Sequence, residues 1–151
     1  MLKGIDPLLT PELLRVLAEM GHGDEIVIAD ANFTTTTLGR GKAVIHLPGA
    51  SVQRTCEAVL SLLPLDAAVT QPVAYMQVSD RPEGYRSALQ RQVISRMAQA
   101  GWAASEQCEA VERFRFYKRV ETAHAIVQTG ELQPFANFIL KKGVIGEALD
   151  A

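Results

Sequence analysis

Cysteine is scarce. Only Cys56 and Cys108 occur in 151 residues, without paired spacing, so a disulfide scaffold is excluded and the reduced thiols of a cytoplasmic protein are expected. Neither sign of charge dominates: fifteen Lys and Arg against seventeen Asp and Glu leave a net charge of −2. Such a balance offers no field for collecting a polyanion, and nucleic acid is not an expected partner. Long apolar runs are missing too. The most apolar stretch, AVLSLLPLDAAV, is cut by Pro64 and Asp66 and falls well short of the ~20 residues that span a bilayer. Asp6, Pro7 and Pro11 interrupt the start of the chain, where a secretion signal requires an unbroken apolar segment. No membrane partner and no secretion are expected.

Several catalytic patterns are equally absent. The histidines, His22, His46 and His124, are scattered, and no H-E-x-x-H, C-x-x-C or G-x-S-x-G occurs, so neither a metal nor an elbow nucleophile is expected. GRGK at Gly39 lacks the spacing of a phosphate loop, and no dinucleotide fingerprint is present. What remains is a chain with 48% hydrophobic and 21% charged residues, the balance of a globular protein. Its length suits one domain over residues 1–151.

Hydrophobic periodicity then sets out the elements. Thr10-Pro11-Glu12 reads as a helix start, with a hydroxyl cap and a proline at the first turn, and Leu13, Val16, Leu17 and Met20 follow at helical spacing toward a C-cap at Gly21. EIVIA, ending at Asp30, has the composition of a strand buried on both faces. NFTTTTLGRGK reads as a loop. AVIHL is a second strand, Ser51 caps a helix whose apolar face runs from Val52 to Leu63, and VAYMQVS is a third strand. Tyr85, Leu89, Val93 and Met97 mark another helix that stops at Gly101; CEAVERF holds a fourth strand, Phe114–Ala123 a short helix, and AIVQT and NFILKK the last strands. This alternation predicts an α/β fold, a three-layer α/β/α sandwich on a mixed, mostly parallel sheet.

Two residues near the start carry candidate chemistry. Asp30 closes a buried strand, where open α/β sheets build their ligand crevice, although an aspartate there also serves as an Asx turn. His22 lies between two glycines that free the backbone to aim it, and histidine is the residue type suited to proton transfer in either direction; the other reading is a helix cap holding terminal carbonyls. RFRFYKR, Arg113–Arg119, interleaves aromatics and cations. It is either a solvated basic helix face or an Arg–Tyr pair of the sort that grips sugar hydroxyls.

In this order and spacing, EMGHGDEIVIADANF, FYKR and TGE…ANFILKKGV resemble the L-fucose mutarotase and D-ribose pyranase family, and the resemblance covers nearly the whole chain. It implies a cofactor-free cytoplasmic enzyme that interconverts the α and β anomers of a free monosaccharide. The resemblance assigns the general acid to His22 and sugar binding to Asp30, Arg113, Phe135, Ala136 and Asn137, with Tyr117 a further contact. It also implies a ring-shaped homo-oligomer, commonly a decamer of two stacked pentamers, with sites near subunit boundaries. An arginine followed by F-x-F-Y, as at Arg113, is similar to the fucose branch, whereas the ribose branch tends to carry histidine there. L-Fucose is therefore the leading substrate. Another aldose such as D-ribose is the alternative within the enzyme class, and a non-catalytic sugar-binding protein the alternative outside it. Two positions depart from the family pattern: Phe135 stands where tyrosine is usual, and Thr34–Thr37 replace a loop that commonly carries proline.

Overall fold

EIVIA forms the strand β1 (Glu25–Ala29) in the computed structural model, which describes residues 1–150; the last residue of the expected domain, 151, lies outside the described residues. Its side chains alternate between two cores. Ile26 and Ile28 pack into one cluster and Val27 and Ala29 into the other, all four fully buried. That is why the strand reads as an unbroken apolar run rather than an alternating one.

Around β1 the chain runs α1 (Pro11–Glu19), β1, α2 (Thr35–Leu38), β2 (Ala43–Leu47), α3 (Val52–Leu60), β3 (Val73–Met76), α4 (Ala88–Gln99), β4 (Cys108–Val111), α5 (Arg113–Val120), β5 (Ala125–Thr129) and β6 (Phe138–Lys141). The six strands form one sheet in the order β2-β5-β1-β6-β3-β4. Only β6 runs against its neighbours, β1 and β3; the other pairings are parallel. Helices α1, α3 and α4 bury Leu13, Val16, Val52, Val59, Val93 and Met97 against one face, and α5 buries Phe116 and Val120 against the other. The expected three layers and mixed, mostly parallel sheet are observed. Each large side chain removed from water in these clusters is worth about 1.5–3 kcal/mol.

Local chemistry explains the ends of the elements. Thr10 Oγ1 accepts the Leu13 N–H at 3.2 Å and Ser51 Oγ accepts the Arg54 N–H at 3.1 Å, so both expected helix caps are made. α4 begins later than expected. Ser87 and Gln90 form a reciprocal capping box, which leaves Tyr85 outside the helix.

Two expectations about the first third of the chain are corrected. Gly21 is not a left-handed cap: α1 ends through Met20 in an extended conformation, and the left-handed residue is Gly23, with φ of 86°. Nor is NFTTTTLGRGK wholly loop, since Thr35–Leu38 make one helical turn. Gly39 permits that turn, because a Cβ there would sit 2.4 Å from Val44 Cγ2 and 2.6 Å from the Thr35 carbonyl oxygen.

Candidate sugar site

The antiparallel insertion of β6 between β1 and β3 assembles one end of the sheet. β1 and β3 finish there, at Ala29 with Asp30 just beyond it and at Met76, and β6 starts there, so the strip Pro134–Asn137 leading into it runs past both strand ends. The register pairs Ile28 with Phe138, which sets Asn137 and Ala136 beside Ala29 and Asp30. Asn137 Nδ2 donates to Asp30 Oδ2 at 3.0 Å, and Asn137 Oδ1 accepts the Asp30 N–H at 2.8 Å. The Asx turn is also made, with the Asn32 N–H donating to Asp30 Oδ1 at 2.9 Å. Asp30 therefore both shapes the turn and presents a carboxylate at the strand end.

That carboxylate is almost wholly buried. Burial pushes it above the ordinary carboxylate value, while donors from Asn32, Asn137, Phe33 and Ala136 pull the other way. Beside it lies a cavity of about 240 Å³ lined by Asp30, Asn32, Phe33, Met76, Arg113, Tyr117, Pro134, Phe135 and Asn137. It is small beside the roughly 300–1,000 Å³ of sites for drug-sized ligands. Asp30, Arg113, Tyr117, Phe135 and Asn137, five of the expected residues, meet at this cavity. Ala136 is buried behind them and faces Asp30 through its backbone N–H.

The cationic strip splits by helix face. Arg113 and Tyr117, four residues apart on α5, share the cavity side, with Arg113 Nε donating to the Tyr117 hydroxyl at 2.9 Å and the guanidinium over the ring. Phe116 is buried against the sheet. Arg119 grips both Glu25 carboxylate oxygens and Glu109 at 2.7 Å, fastening α5 to β1 and β4. Opposite, the fully buried Gln90 donates through Nε2 to the carbonyls of Met76, at 2.8 Å, and Phe135, at 3.1 Å. Phe135 has φ of 61°, a strained conformation for a bulky residue, and Gln90 pins it. The Ser87–Gln90 spacing marks a helix start, but no local pattern marks the contact of Gln90 with Phe135, 45 residues away.

His22 lies elsewhere. It precedes β1 whereas Asp30 follows it, and a five-residue strand spans about 16 Å. The G-H-G-D turn closes on itself: Asp24 Oδ2 accepts the Gly21 N–H at 2.7 Å and the Asp24 N–H donates to the Gly21 carbonyl at 3.1 Å, with His22 between them. Its side chain is half exposed, and Nε2 stands 3.0 Å from Asp66 Oδ1. The helix-cap role falls to another residue, Lys142, whose Nζ donates to the carbonyls of Leu17 and Met20 at 2.8 and 2.6 Å. Neither Asp66 nor Lys142 is near His22 in sequence, so no local signal marks them.

Neither cysteine offers a nucleophile. Burial pushes the Cys108 thiol up to about 11 and the Cys56 thiol higher still, which leaves both poor nucleophiles. Among the described residues no group of three His, Cys, Asp or Glu side chains gathers as ligands would, and no helix is long and apolar enough to cross a membrane.

Residues 3–145 match the model of the RbsD / FucU transport protein family. The chain is 44% identical to the fucose mutarotase of Mus musculus over 147 residues, 95% of each chain. It is also 44% identical to the L-fucose mutarotase of Glaesserella parasuis serovar 5 over 144 residues, 95% of this chain and 96% of that one. The fold superposes on the crystal structure of the fucose mutarotase from Streptococcus pneumoniae in complex with L-fucose with a TM-score of 0.85 and 35% identity, covering 96% of this chain and 100% of the other.

Proposed function

The chain belongs to the RbsD / FucU family, and from that premise we propose that it is an L-fucose mutarotase, an isomerase that interconverts the α and β anomers of the free sugar. The convergence of Asp30, Asn137, Arg113 and Tyr117 on one small cavity carries this reading. Carboxylate, amide, guanidinium and phenol supply fixed acceptors and donors for a ring of hydroxyls, and Phe33 and Phe135 supply apolar walls.

The chemistry requires only proton movement. His22 gives a proton to the ring oxygen as the bond from that oxygen to the anomeric carbon breaks, with the bonding electron pair leaving on oxygen. The anomeric hydroxyl gives its proton to water as its oxygen becomes a carbonyl, the carbon–carbon bond turns, and closure on either face reverses the transfers. General acid–base assistance of this kind is worth ~10² to 10⁴ in rate.

His22 reaches a sugar at the Asp30 cavity from a second copy of the chain. Exposed apolar side chains support such a contact: Phe114 on α5 and Leu132 ahead of the Pro134–Asn137 strip on the cavity side, and Leu2, Leu62 and Ile145 on a groove of about 550 Å³ that also takes in Pro64 and Lys142. A head-to-tail contact between unlike surfaces forms a ring when its rotation closes, the arrangement that a decamer of stacked pentamers requires. We place the reaction in the cytoplasm, which the two free, buried cysteines support.

Saturation-transfer NMR on L-fucose, D-ribose and other free aldoses tests the function. Faster α–β exchange on addition of protein, greatest for L-fucose, is expected. Greater acceleration of D-ribose would transfer the assignment to a pyranase, and binding without acceleration would leave a sugar-binding protein.

A further inference from the structure

Gln90 does not line the sugar cavity, yet it holds the backbone that does. Its side chain is fully buried and both of its polar atoms are engaged: Oε1 accepts the Ser87 N–H at 3.0 Å, and Nε2 donates to the carbonyls of Met76 and Phe135 at 2.8 and 3.1 Å. The Ser87 bond completes the capping box of α4, and that cap asks nothing of Nε2. The amide nitrogen instead ties the last residue of β3 to the strip that leads into β6.

The peptide between Phe135 and Ala136 faces two ways. Its carbonyl goes to Gln90, while its N–H faces the Asp30 carboxylate, where it is one of the donors that offset the burial raising that group. Turning this one peptide over would set a carbonyl in place of an N–H against the carboxylate, two acceptors face to face. Phe135 also holds a φ of 61°, unfavourable for a bulky residue and kept only where the surroundings enforce it. Relaxing it would move the ring that walls the cavity. Met76 is tied in the same manner, with its carbonyl on Gln90 and its N–H on the Asn137 carbonyl at 3.0 Å, and Asn137 is the residue whose amide bonds Asp30.

We infer that Gln90 is a positioning residue for sugar binding: by holding the Phe135 and Met76 carbonyls it keeps the Ala136 N–H and the Asn137 amide on Asp30 and the Phe135 ring in the cavity wall, and so fixes the carboxylate that receives the sugar hydroxyls. The inference rests on the reading of the Asp30 cavity as the sugar site. Gln90 touches no sugar. It acts by preorganising groups that do, so its loss registers in affinity, whereas proton transfer by His22, which belongs to the other end of β1, is untouched.

Gln90→Met keeps the length and apolar bulk of the side chain and removes both donors. The L-fucose concentration at half-maximal exchange rate is expected to rise roughly five- to tenfold, the equivalent of one lost hydrogen bond, with the maximal rate within about twofold. Ser87→Ala is the structural control: it deletes the hydroxyl that accepts the Gln90 N–H at 3.1 Å, leaves Nε2 in place, and should lower the urea midpoint while keeping wild-type affinity. An equal loss of affinity in Ser87→Ala would make the effect one of stability and overturn the inference. In wild-type protein labelled with ¹⁵N-glutamine and ¹⁵N-alanine, the Gln90 side-chain amide and the Ala136 N–H should both shift on saturation with L-fucose, since the hydrogen bonds between them are coupled; a silent Gln90 amide would overturn the inference whether or not Gln90→Met folds. Wild-type affinity in folded Gln90→Met, in a protein that Arg113→Ala weakens, would overturn the role of Gln90 alone. Wild-type affinity in both variants would remove the sugar from this cavity and the inference with it.

Discussion

His22 and Asp30 stand at opposite ends of β1, one before its first residue and the other after its last. The strand between them is fully buried from Ile26 to Ala29, so no local hinge brings the two groups together. If both act on one sugar, they come from different copies of the chain.

Subunit mixing tests this arrangement. With sugar well below half-saturation, His22→Ala is expected to be nearly inactive and Arg113→Ala lowered roughly tenfold, but co-expressed chains regain exchange activity at those sites where an intact His22 meets an intact Arg113. The check is L-fucose exchange measured on the co-purified mixture. Activity no greater than that of either variant alone would place both residues in sites built within one chain.

Arg113→Ala separates binding from folding. Arg113 is exposed and its side-chain hydrogen bond goes to Tyr117, so stability should change by less than about 0.5 kcal/mol. A lost charged hydrogen bond to the sugar is worth about 1.5–3 kcal/mol, roughly tenfold or more in affinity. Calorimetric titration with L-fucose beside a urea melt distinguishes these; a large loss of stability with unchanged affinity would make Arg113 structural.

Lys142→Met should destabilise by about 1–3 kcal/mol, because the carbonyls of Leu17 and Met20 lose a charged donor at the end of α1. His22→Ala should leave α1 intact. Urea unfolding of both variants is the check, and the reverse ordering would return His22 to the role of helix cap.

Acid pH should affect the two buried aspartates in opposite senses. Asp66, with its folded value lowered mainly by the Ala68 N–H, contributes stability that is present above the unfolded aspartate value of about 3.9 and lost as pH falls through the folded value. Asp30, raised by burial, contributes stability that is present below about pH 3.9 and lost as pH rises through its folded value. In urea unfolding across the acid range, Asp66→Asn should flatten the loss at the acid end and Asp30→Asn the loss on the way up toward neutrality. Slopes identical to wild type would contradict both assignments.

Local physics made much of this legible in the sequence. The hydroxyls of Thr10 and Ser51 cap helices wherever an apolar stripe follows, and the β-branched run Ile26–Ile28 is a buried strand in most settings. The strip Phe135–Asn137 was legible only through the family resemblance, which also favoured the sugar-gripping reading of Arg113 over a solvated helix face. What stayed hidden depends on tertiary contact. The antiparallel entry of β6 sets Asn137 on Asp30 across 107 positions, Asp66 meets His22 across 44, and Lys142 takes the end of α1 across more than 120. Gly21 and Gly23 are indistinguishable by composition, and only the closure of the turn by Asp24 decides which adopts positive φ. The threonine run becomes helical because Gly39 lets it pack under Val44, a long-range reason overriding a weak propensity.

The most direct test of the central claim is α–β exchange of L-fucose by saturation-transfer NMR, with wild-type protein and His22→Ala run side by side and sugar binding measured on both. The account predicts exchange in the variant lowered by roughly 10² or more, with the fold retained and sugar still bound. Wild-type exchange rates in a folded His22→Ala protein would contradict it.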